Sequence, residues 1–350
     1  MSAVSELIPI IDGHNDLPWK CRKNRGSSVA GLDQESANPQ LQTDMPRLLR
    51  GGVAGQFWSV WVHTEITGAQ AVQATLEQID VVHRMVTTYP QTLAMARSAT
   101  DVEACMSAGR IASLLGVEGG HQINDSLAVL RQYARLGVRY MTLTWNDNTS
   151  WADSATDDPV HGGLSDRGRE VVAEMNRTGM MVDLSHVAPS TMRDALDATR
   201  LPVLFTHSSS AGVNAHPRNV PDDVLARLAA NDGVQMLTFV PAFLSAEYWA
   251  WAKAGKEGQA PPVTVAEVAD HVEHAREVAG IDHIGLGGDY DGAGPMPTGL
   301  EDVAGYPNLM AELAVRGWSN ADLHKLGHQN VLRVLRANDQ AHQEFMASDQ

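Results

Sequence analysis

Short apolar runs alternate with longer segments of helical periodicity along most of this chain. Eight runs are rich in Val, Ile, Leu, Met and aromatic residues, the composition of strands that are buried on both faces. They cover residues 7–11, 55–62, 111–116, 140–144, 180–184, 203–206, 234–239 and 283–286. Segments with apolar residues at the 3.6-residue period predict helices over residues 69–89, 127–136, 164–177, 188–198, 222–230, 265–279 and 309–336. Eight strands with intervening helices predict a closed (β/α)8 TIM barrel, and the lack of a recognisable linker predicts one domain over residues 1–350.

Three stretches interrupt this alternation. Residues 26–38 are polar and rich in Gly and Ser, which predicts a loop over the mouth of the barrel. Residues 242–262 combine Trp249 and Trp251 with Lys, Gly and Pro, and we expect them to form a lid. Residues 289–307 are rich in Gly and Pro and predict a loop after the last strand.

Composition narrows the class of protein. Of the 350 residues 43% are hydrophobic, which is enough for a substantial core, and the net charge of −16 argues against nucleic acid or an anionic membrane as a partner. Cys21 and Cys105 are the only cysteines, so neither a disulfide framework nor a cysteine-based zinc site is available. The sequence contains no signal-peptide pattern and no apolar stretch of about 20 residues. We therefore expect a soluble cytoplasmic protein; a homodimer is compatible with the sequence, which does not decide the oligomeric state.

Polar residues follow the predicted strands where a barrel places its active site, at the carboxyl ends of the strands. They are His14 and Asp16 after the first strand, Glu118 after the third, His186 after the fifth, His207 after the sixth and Asp289 after the eighth. His14 and Asp16 lie two positions apart, so that in an extended chain their side chains point the same way. One histidine that ends an apolar run is more often structural than functional. Two on consecutive strands, together with three carboxylates and His14, favour a metal site.

The number of these candidates predicts two metal ions. Imidazole and carboxylate groups suit zinc, and one catalytic zinc usually takes three protein ligands and a water. Five or six ligands are too many for one such ion but fit two ions that share a bridge. The chain has no lysine between Lys23 and Lys253, so strands two to seven cannot supply a carboxylated lysine as the bridge. Glu118 is then the best-placed bridging residue.

Several short segments, in this order along the chain, resemble those of the membrane (renal) dipeptidase family: IDGHNDLPW, GVEGG, VDLSHV, THSS, HPRN and GLGGDYDG. The resemblance covers nearly the whole chain. It implies an amidohydrolase-like (β/α)8 barrel with a binuclear zinc centre that hydrolyses L,L and often L,D dipeptides. Mammalian members carry a signal peptide, a lipid anchor and disulfides, which this sequence does not show, so it is more similar to the soluble bacterial branch.

The resemblance also implies a role for each candidate. His14 and Asp16 would bind one zinc ion, His186 and His207 the other, and Glu118 would bridge both together with a water or hydroxide. In the reaction that we hypothesise, this hydroxide attacks the peptide carbonyl and Asp289, which also contacts the substrate, transfers the proton to the departing amine. Arg218, in the HPRN segment, would pair with the C-terminal carboxylate of the dipeptide.

One departure from the family pattern affects the substrate site. The family typically shows Thr-Leu-Thr-His after the fourth strand, whereas this chain has Trp145 in place of the histidine. An indole N–H can donate a hydrogen bond but cannot accept one. Three explanations stay open: Trp145 donates in place of the histidine and binds the substrate, Asn146 or Asn148 takes over the role, or the substrate preference differs.

Two other functions also stay open. A related binuclear-metal amidohydrolase could act on another amide or on a lactone with the same barrel, because fold does not determine reaction. An inactive barrel retained as a binding scaffold is expected to have lost a metal ligand, and all five are present here.

Overall fold

The computed structural model describes residues 7–348, and nine parallel strands form its centre. The strands are β1 (Ile10–Asn15), β2 (Val53–Trp61), β3 (Leu93–Met95), β4 (Ile111–Glu118), β5 (Val138–Thr142), β6 (Met181–Asp183), β7 (Leu204–Phe205), β8 (Val234–Leu237) and β9 (Ile284–Leu286).

Eight of these strands close into a barrel. β2 pairs with both β1 and β4, the pairing continues in chain order from β4 to β9, and β9 pairs with β1. β3 lies outside the ring and pairs only with Ile111–Ser113 at the start of β4. The chain is therefore a (β/α)8 TIM barrel, as the sequence predicts, and each of the eight predicted strands overlaps one strand of the barrel. That residues 1–350 form a single domain stays a prediction.

Helices surround the barrel. They are α1 (Leu17–Arg25), α2 (Met45–Arg50), α3 (Gly68–Thr88), α4 (Ala99–Ser107), α5 (Leu127–Leu136), α6 (Asp166–Thr178), α7 (Pro189–Ala198), α8 (Asp222–Leu225), α9 (Leu228–Asn231), α10 (Pro241–Leu244), α11 (Ala246–Lys253), α12 (Val265–Ala279), α13 (Tyr306–Val315), α14 (Asn320–His324) and α15 (Asn330–Ala347). A π-helical segment, Lys325–Gln329, joins the last two, and 3₁₀ turns lie at Glu35–Ala37, Gly120–Ile123, Ile281–His283 and Val303–Gly305. None of the helices within residues 7–348 has the length and apolar content that a bilayer crossing needs.

Each predicted helix overlaps a helix of the structure, but two of the predicted helices are divided into shorter ones. The prediction over residues 222–230 corresponds to two single-turn helices, α8 and α9, and residues 309–336 are divided among α13, α14, the π segment and the first part of α15. The predicted lid over residues 242–262 contains most of α10 and all of α11. These helices were missed because they have four and eight residues, too few turns for a periodic pattern to be recognised.

Packing on both faces of the sheet fixes where the strands end. One buried cluster joins side chains of the strands, such as Phe57, Leu114 and Met236, to Val331 and Leu335 of α15. A larger cluster joins the strands to the surrounding helices. Because the paired strands are all parallel, the polar residues that follow them converge at one end of the barrel.

Candidate metal centre and substrate cavity

Glu118 lies at the centre of the predicted ligands. It is the last residue of β4, it is only 4% exposed, and its two oxygens face different histidines. Oε2 is 3.2 Å from His14 Nε2, while Oε1 is 3.0 Å from His186 Nε2 and 3.5 Å from His207 Nε2. Asp16 lies on the His14 side, where its Oδ2 is 3.4 Å from His14 Nε2. Glu118 therefore has the placement of a bridging ligand between two groups of donors.

Asp289 completes the cluster on the His14 side. Its carboxyl group, Asp16 and His14 each offer one ligand atom, and these atoms lie within 4.8 Å of one another. Ligand atoms of His14, Glu118 and His207 satisfy the same limit. The structure thus brings together all six residues that the strand ends suggested.

Each histidine of the cluster has a partner for its other ring nitrogen. His14 Nδ1 is 3.0 Å from the hydroxyl of Tyr140, which itself lies within hydrogen-bond distance of the Gly13 carbonyl. A carbonyl oxygen can only accept, so the Tyr140 hydroxyl donates to Gly13 and accepts from His14 Nδ1–H. His186 Nδ1 is 3.1 Å from Asn146 Oδ1, which also accepts. In the neutral form of either ring this leaves the Nε2 lone pair directed toward Glu118, the tautomer that a metal ligand requires.

His186 Nε2 and His207 Nε2 are only 2.9 Å apart. Burial lowers the pKa of His186 to about 3, and the positive charge of Arg218 contributes to this shift. Burial also lowers the pKa of His207 well below its ordinary value. Two neutral imidazoles that both direct Nε2 toward a buried carboxylate form a site that a cation can complete.

The buried carboxylates and His14 shift each other's pKa values. Burial opposes charge on Glu118, but His14, His186 and His207 outweigh it and lower the pKa of Glu118 well below its usual range. Burial likewise opposes charge on His14, while Tyr140, Glu118 and Asp16 raise its pKa well above 6.5. Burial raises the pKa of Asp289 well above its usual value, and the charges of Asp16 and Glu118 add to that rise.

The backbone holds two of these residues in an uncommon conformation. His186 has φ of 68° and Asp289 has φ of 61°, in the left-handed region that residues other than glycine rarely adopt. Such conformations cluster at functional sites because the surrounding structure must stabilise them. Gly292 is also required here, because a Cβ at this position would overlap the carboxylate oxygens of Asp16 and Asp289.

The donor set fits divalent metal ions. It consists of imidazole nitrogens and carboxylate oxygens, the ligands that zinc takes in sites without cysteine. His14 Nε2 is buried and has no hydrogen-bond partner among the described residues, although two carboxylates lie beside it. A polar atom in this position is expected to have a partner, and a cation between the carboxylates and the imidazole would provide it.

A cavity of about 490 Å³ opens onto this cluster. Its wall includes Asp16, Glu118, His186 and Asp289 from the cluster, together with the substrate-site candidates Arg218 and Trp145. Trp249 of α11 also lines it, so the predicted lid contributes to the cavity. Residues 26–38, which were predicted to lie over the barrel mouth, contribute none of the lining side chains.

Arg218 is a buried cation without a carboxylate partner. It is 3% exposed, and its guanidinium contacts only the Ser208 hydroxyl at 3.5 Å and the His207 carbonyl at 3.4 Å among the described residues, apart from the Phe243 ring. Burial lowers the pKa of Arg218 to about 10, so the group stays charged at neutral pH. A buried charge is normally paired, and a ligand with an anionic group would provide the pair.

Trp145 belongs to an aromatic wall of the cavity. Its ring centre is 4.9 Å from that of Trp61, which in turn is 4.5 Å from Trp19, and all three rings line the cavity. Trp145 also lies 6.2 Å from the ring of His186. Two neighbouring asparagines could also donate a hydrogen bond to the substrate. Asn146 lines the cavity, but its side-chain oxygen accepts a hydrogen bond from His186, and the amide of Asn148 donates to the Asp158 carbonyl.

Several residues near the site were not assigned a role from the sequence. Tyr140 holds His14, Ser59 donates a hydrogen bond of 3.0 Å to Glu118 Oε2, and His216 lines the cavity and accepts the backbone N–H of Arg218 at 3.1 Å. The sequence offered little signal for these three, because each acts through a residue far away in the chain or through a loop.

Histidines and carboxylates that converge at the carboxyl ends of barrel strands are typical of metal-dependent hydrolases. Comparison with known families defines the class further. The chain belongs to the membrane dipeptidase family, peptidase family M19, whose family model matches residues 1–349. It is a metallo-dipeptidase, an enzyme that hydrolyses peptide bonds.

Similar proteins agree with this family. An uncharacterized dipeptidase of Schizosaccharomyces pombe is 44% identical over 346 residues, which cover 95% of this chain and 81% of that protein. Dipeptidase verJ of Clonostachys rogersoniana is 43% identical over 339 residues, which cover 94% of this chain and 84% of that protein. A metallopeptidase of Rhodobacter sphaeroides, solved with a phosphinate mimic of the dipeptide L-Ala-D-Ala, superposes with a TM-score of 0.85 at 26% identity, covering 95% of this chain and all of that one.

Proposed function

We propose that this enzyme is a zinc-dependent dipeptidase that holds two zinc ions and hydrolyses small L,L and L,D dipeptides. The observation that carries this proposal is the position of Arg218, a buried guanidinium that has no carboxylate partner within residues 7–348. It lines the same cavity as Glu118, His186 and Asp289. An extended substrate with a free carboxylate could pair with Arg218 while its peptide bond reaches the ligand cluster. The cavity of about 490 Å³ has the size of a small-ligand site.

His14 and Asp16 would hold one zinc ion, His186 and His207 the other, and Glu118 would bind both, because its two oxygens face the two groups. When bound, the ions supply an activated water at neutral pH and polarise the peptide carbonyl. Ser59 donates to the Glu118 oxygen on the His14 side and so holds the orientation of this carboxylate.

Asp289 would receive the proton of the attacking water and return it to the departing amine. Its carboxyl group lies beside His14 and Asp16, within reach of a water held at the cluster, and a carboxylate can accept and return a proton as a general acid–base group. Arg218 would bind the substrate carboxylate in a charge-assisted hydrogen bond, and Trp145 would contact a substrate side chain from the aromatic wall. The similarity to the Rhodobacter sphaeroides enzyme, solved with a mimic of L-Ala-D-Ala, supports acceptance of an L,D substrate.

The test compares a dipeptide with its C-terminal amide in the wild type and in Arg218→Met. A hydrogen bond to a charged group contributes about 1.5–3 kcal/mol, so amidation should lower kcat/KM of the wild type roughly tenfold to a hundredfold. The mutant has already lost this contact and should discriminate far less between the two substrates. Equal losses in both proteins would remove Arg218 from the substrate site. The homodimer and the cytoplasmic location stay predictions from the sequence.

A further inference from the structure

A further buried carboxylate, Asp183, contacts the residues that precede the two histidines of one proposed zinc site. It is the last residue of β6, is completely buried, and does not line the cavity. Its Oδ1 accepts the backbone N–H groups of Ser185 at 3.1 Å and Thr206 at 2.8 Å. Its Oδ2 accepts the hydroxyls of Thr142 at 2.5 Å and Thr206 at 2.8 Å. These four hydrogen bonds tie together the ends of β5, β6 and β7.

Of these four donor groups, only the Thr206 hydroxyl hydrogen-bonds to the ring of a candidate metal ligand, while the Ser185 hydroxyl accepts the backbone N–H of His207 at 3.0 Å. The Thr206 hydroxyl oxygen is 2.9 Å from His207 Nδ1. A hydroxyl has one proton, and Thr206 donates it to Asp183. The same oxygen can therefore only accept from His207, which places the ring proton on Nδ1 and leaves the lone pair on Nε2. His207 Nε2 is the atom that faces Glu118 Oε1 and His186.

We propose that Asp183 and Thr206 form a relay that sets the tautomer of His207 and thereby positions it as a metal ligand. Asp183 is a positioning residue in this account, because it reaches the ligand only through the hydroxyl of Thr206. Groups that hold the second nitrogen of a metal-bound histidine orient the ring and raise its basicity. This inference rests on the proposed metal centre, because it names the residues that orient one ligand of one proposed zinc site.

Thr142 provides a matched control for Thr206. Both threonines are fully buried and donate to the same oxygen of Asp183. Thr142 lies beside Glu118 in the β4–β5 pairing, but among the described residues its side chain makes no hydrogen bond to a candidate ligand. Thr206→Val and Thr142→Val each remove one hydroxyl, keep a similar side-chain shape and leave Asp183 with one donor fewer. Thr206→Ser keeps the hydroxyl and should restore the wild-type behaviour.

Metal affinity is the first measurement. Each full-length protein is stripped with a chelator and titrated with Zn²⁺ in competition with a chromophoric chelator. Removing a group that hydrogen-bonds to the second nitrogen of a metal-bound histidine typically lowers metal affinity about 10–100-fold. Thr206→Val should therefore weaken one of the two sites by about this factor. Thr142→Val and Thr206→Ser should stay close to the wild type. Equal weakening in the two valine variants would mean that Asp183 acts only on the packing of the strands, which would overturn the relay.

The tautomer of His207 is the second measurement, and it does not depend on metal. In the metal-free protein with ¹⁵N-labelled histidine, NMR should show the proton of His207 on Nδ1 in the wild type and in Thr142→Val. Thr206→Val should lose this preference. Asp183→Asn should reverse it, because an amide N–H directed at Thr206 leaves the hydroxyl to donate to His207 Nδ1, which moves the ring proton to Nε2.

The zinc titration and the NMR measurement distinguish a failure of the proposed function from a failure of the relay. A wild type that binds no zinc would contradict the proposed function, while the NMR result would still decide whether the relay sets the tautomer. A wild-type His207 with its proton on Nε2 would overturn the relay even if two zinc ions bind.

Discussion

Asp289 lies three residues beyond the end of β9, in a left-handed backbone conformation that directs its carboxyl group toward His14 and Asp16. Asp289→Asn should keep the fold but lower kcat by about 10²–10⁴-fold, the contribution of a general acid–base group, because the amide cannot take a proton. If the loss comes from the acid–base role, the metal content of the same sample should remain at the wild-type level. Asp291→Asn is the matched control, because Asp291 is also buried near the end of β9 but accepts the backbone N–H of Gln42. A larger loss in Asp291→Asn than in Asp289→Asn would exchange their roles.

The ring of Trp145 packs on Trp61 at the cavity wall, at a position where the sequence resemblance leads us to expect a histidine. Trp145→Ala should raise KM for dipeptides with a large apolar or aromatic side chain and have little effect on those of glycine and alanine. Aromatic contacts contribute about 0.5–1.5 kcal/mol beyond their buried area, so the selective effect should be roughly two- to tenfold. A fall in kcat that is equal for all substrates would instead mean that the indole N–H acts on the reacting carbonyl.

The convergence of the candidate ligands could be predicted from the sequence because each lies at or just after the end of an apolar strand, and the ends of parallel strands meet. Their role as metal ligands stays a prediction. Tyr140, Ser59 and Thr206 could not, because their roles depend on contacts between strands that are distant in the sequence. Tyr140, for example, reaches His14 across 126 positions of the chain. Its place in a predicted strand said nothing about the direction of its hydroxyl.

At the level of elements, the barrel strands could be predicted because burial on both faces makes them continuous apolar runs. β3 was missed because it has only three residues and lies outside the ring. An apolar run as short as residues 93–96 does not distinguish a strand from other structure by periodicity. α1 was also missed, since Lys20, Arg22, Lys23 and Arg25 interrupt its apolar pattern, although Gly26 ends it in the left-handed conformation typical of a C-cap.

The contact between β4 and β5 links the packing of the barrel to the metal centre. A Cβ at Gly116 of β4 would overlap the ring of Tyr140, so this glycine makes room for the side chain that holds His14. Gly116→Ala should lower the free energy of unfolding by about 1–3 kcal/mol, the usual cost of overpacking a core. It should also weaken metal binding, because a displaced Tyr140 no longer bonds to His14. Urea denaturation of the metal-free protein checks the first effect, and an unchanged midpoint would show that the ring relocates without cost.

At the scale of the whole molecule, the candidate ligands come from the ends of separate strands, β1, β4, β6, β7 and β9, and only a closed barrel brings them together. Glu118 lies between the two groups, with one oxygen toward His14 and the other toward His186 and His207. We propose that the Glu118 carboxylate binds both zinc ions at once. A change at Glu118 should therefore affect both sites.

The metal content of the wild type and of Glu118→Gln, measured by elemental analysis together with dipeptidase activity, tests this claim most directly. The account predicts two zinc ions per chain in the active wild type. In Glu118→Gln both ions should be weakened together and activity lost, because the amide has no charge to share between them. A wild type that is fully active with one ion per chain, or a variant that retains one ion at the wild-type affinity, would contradict the account.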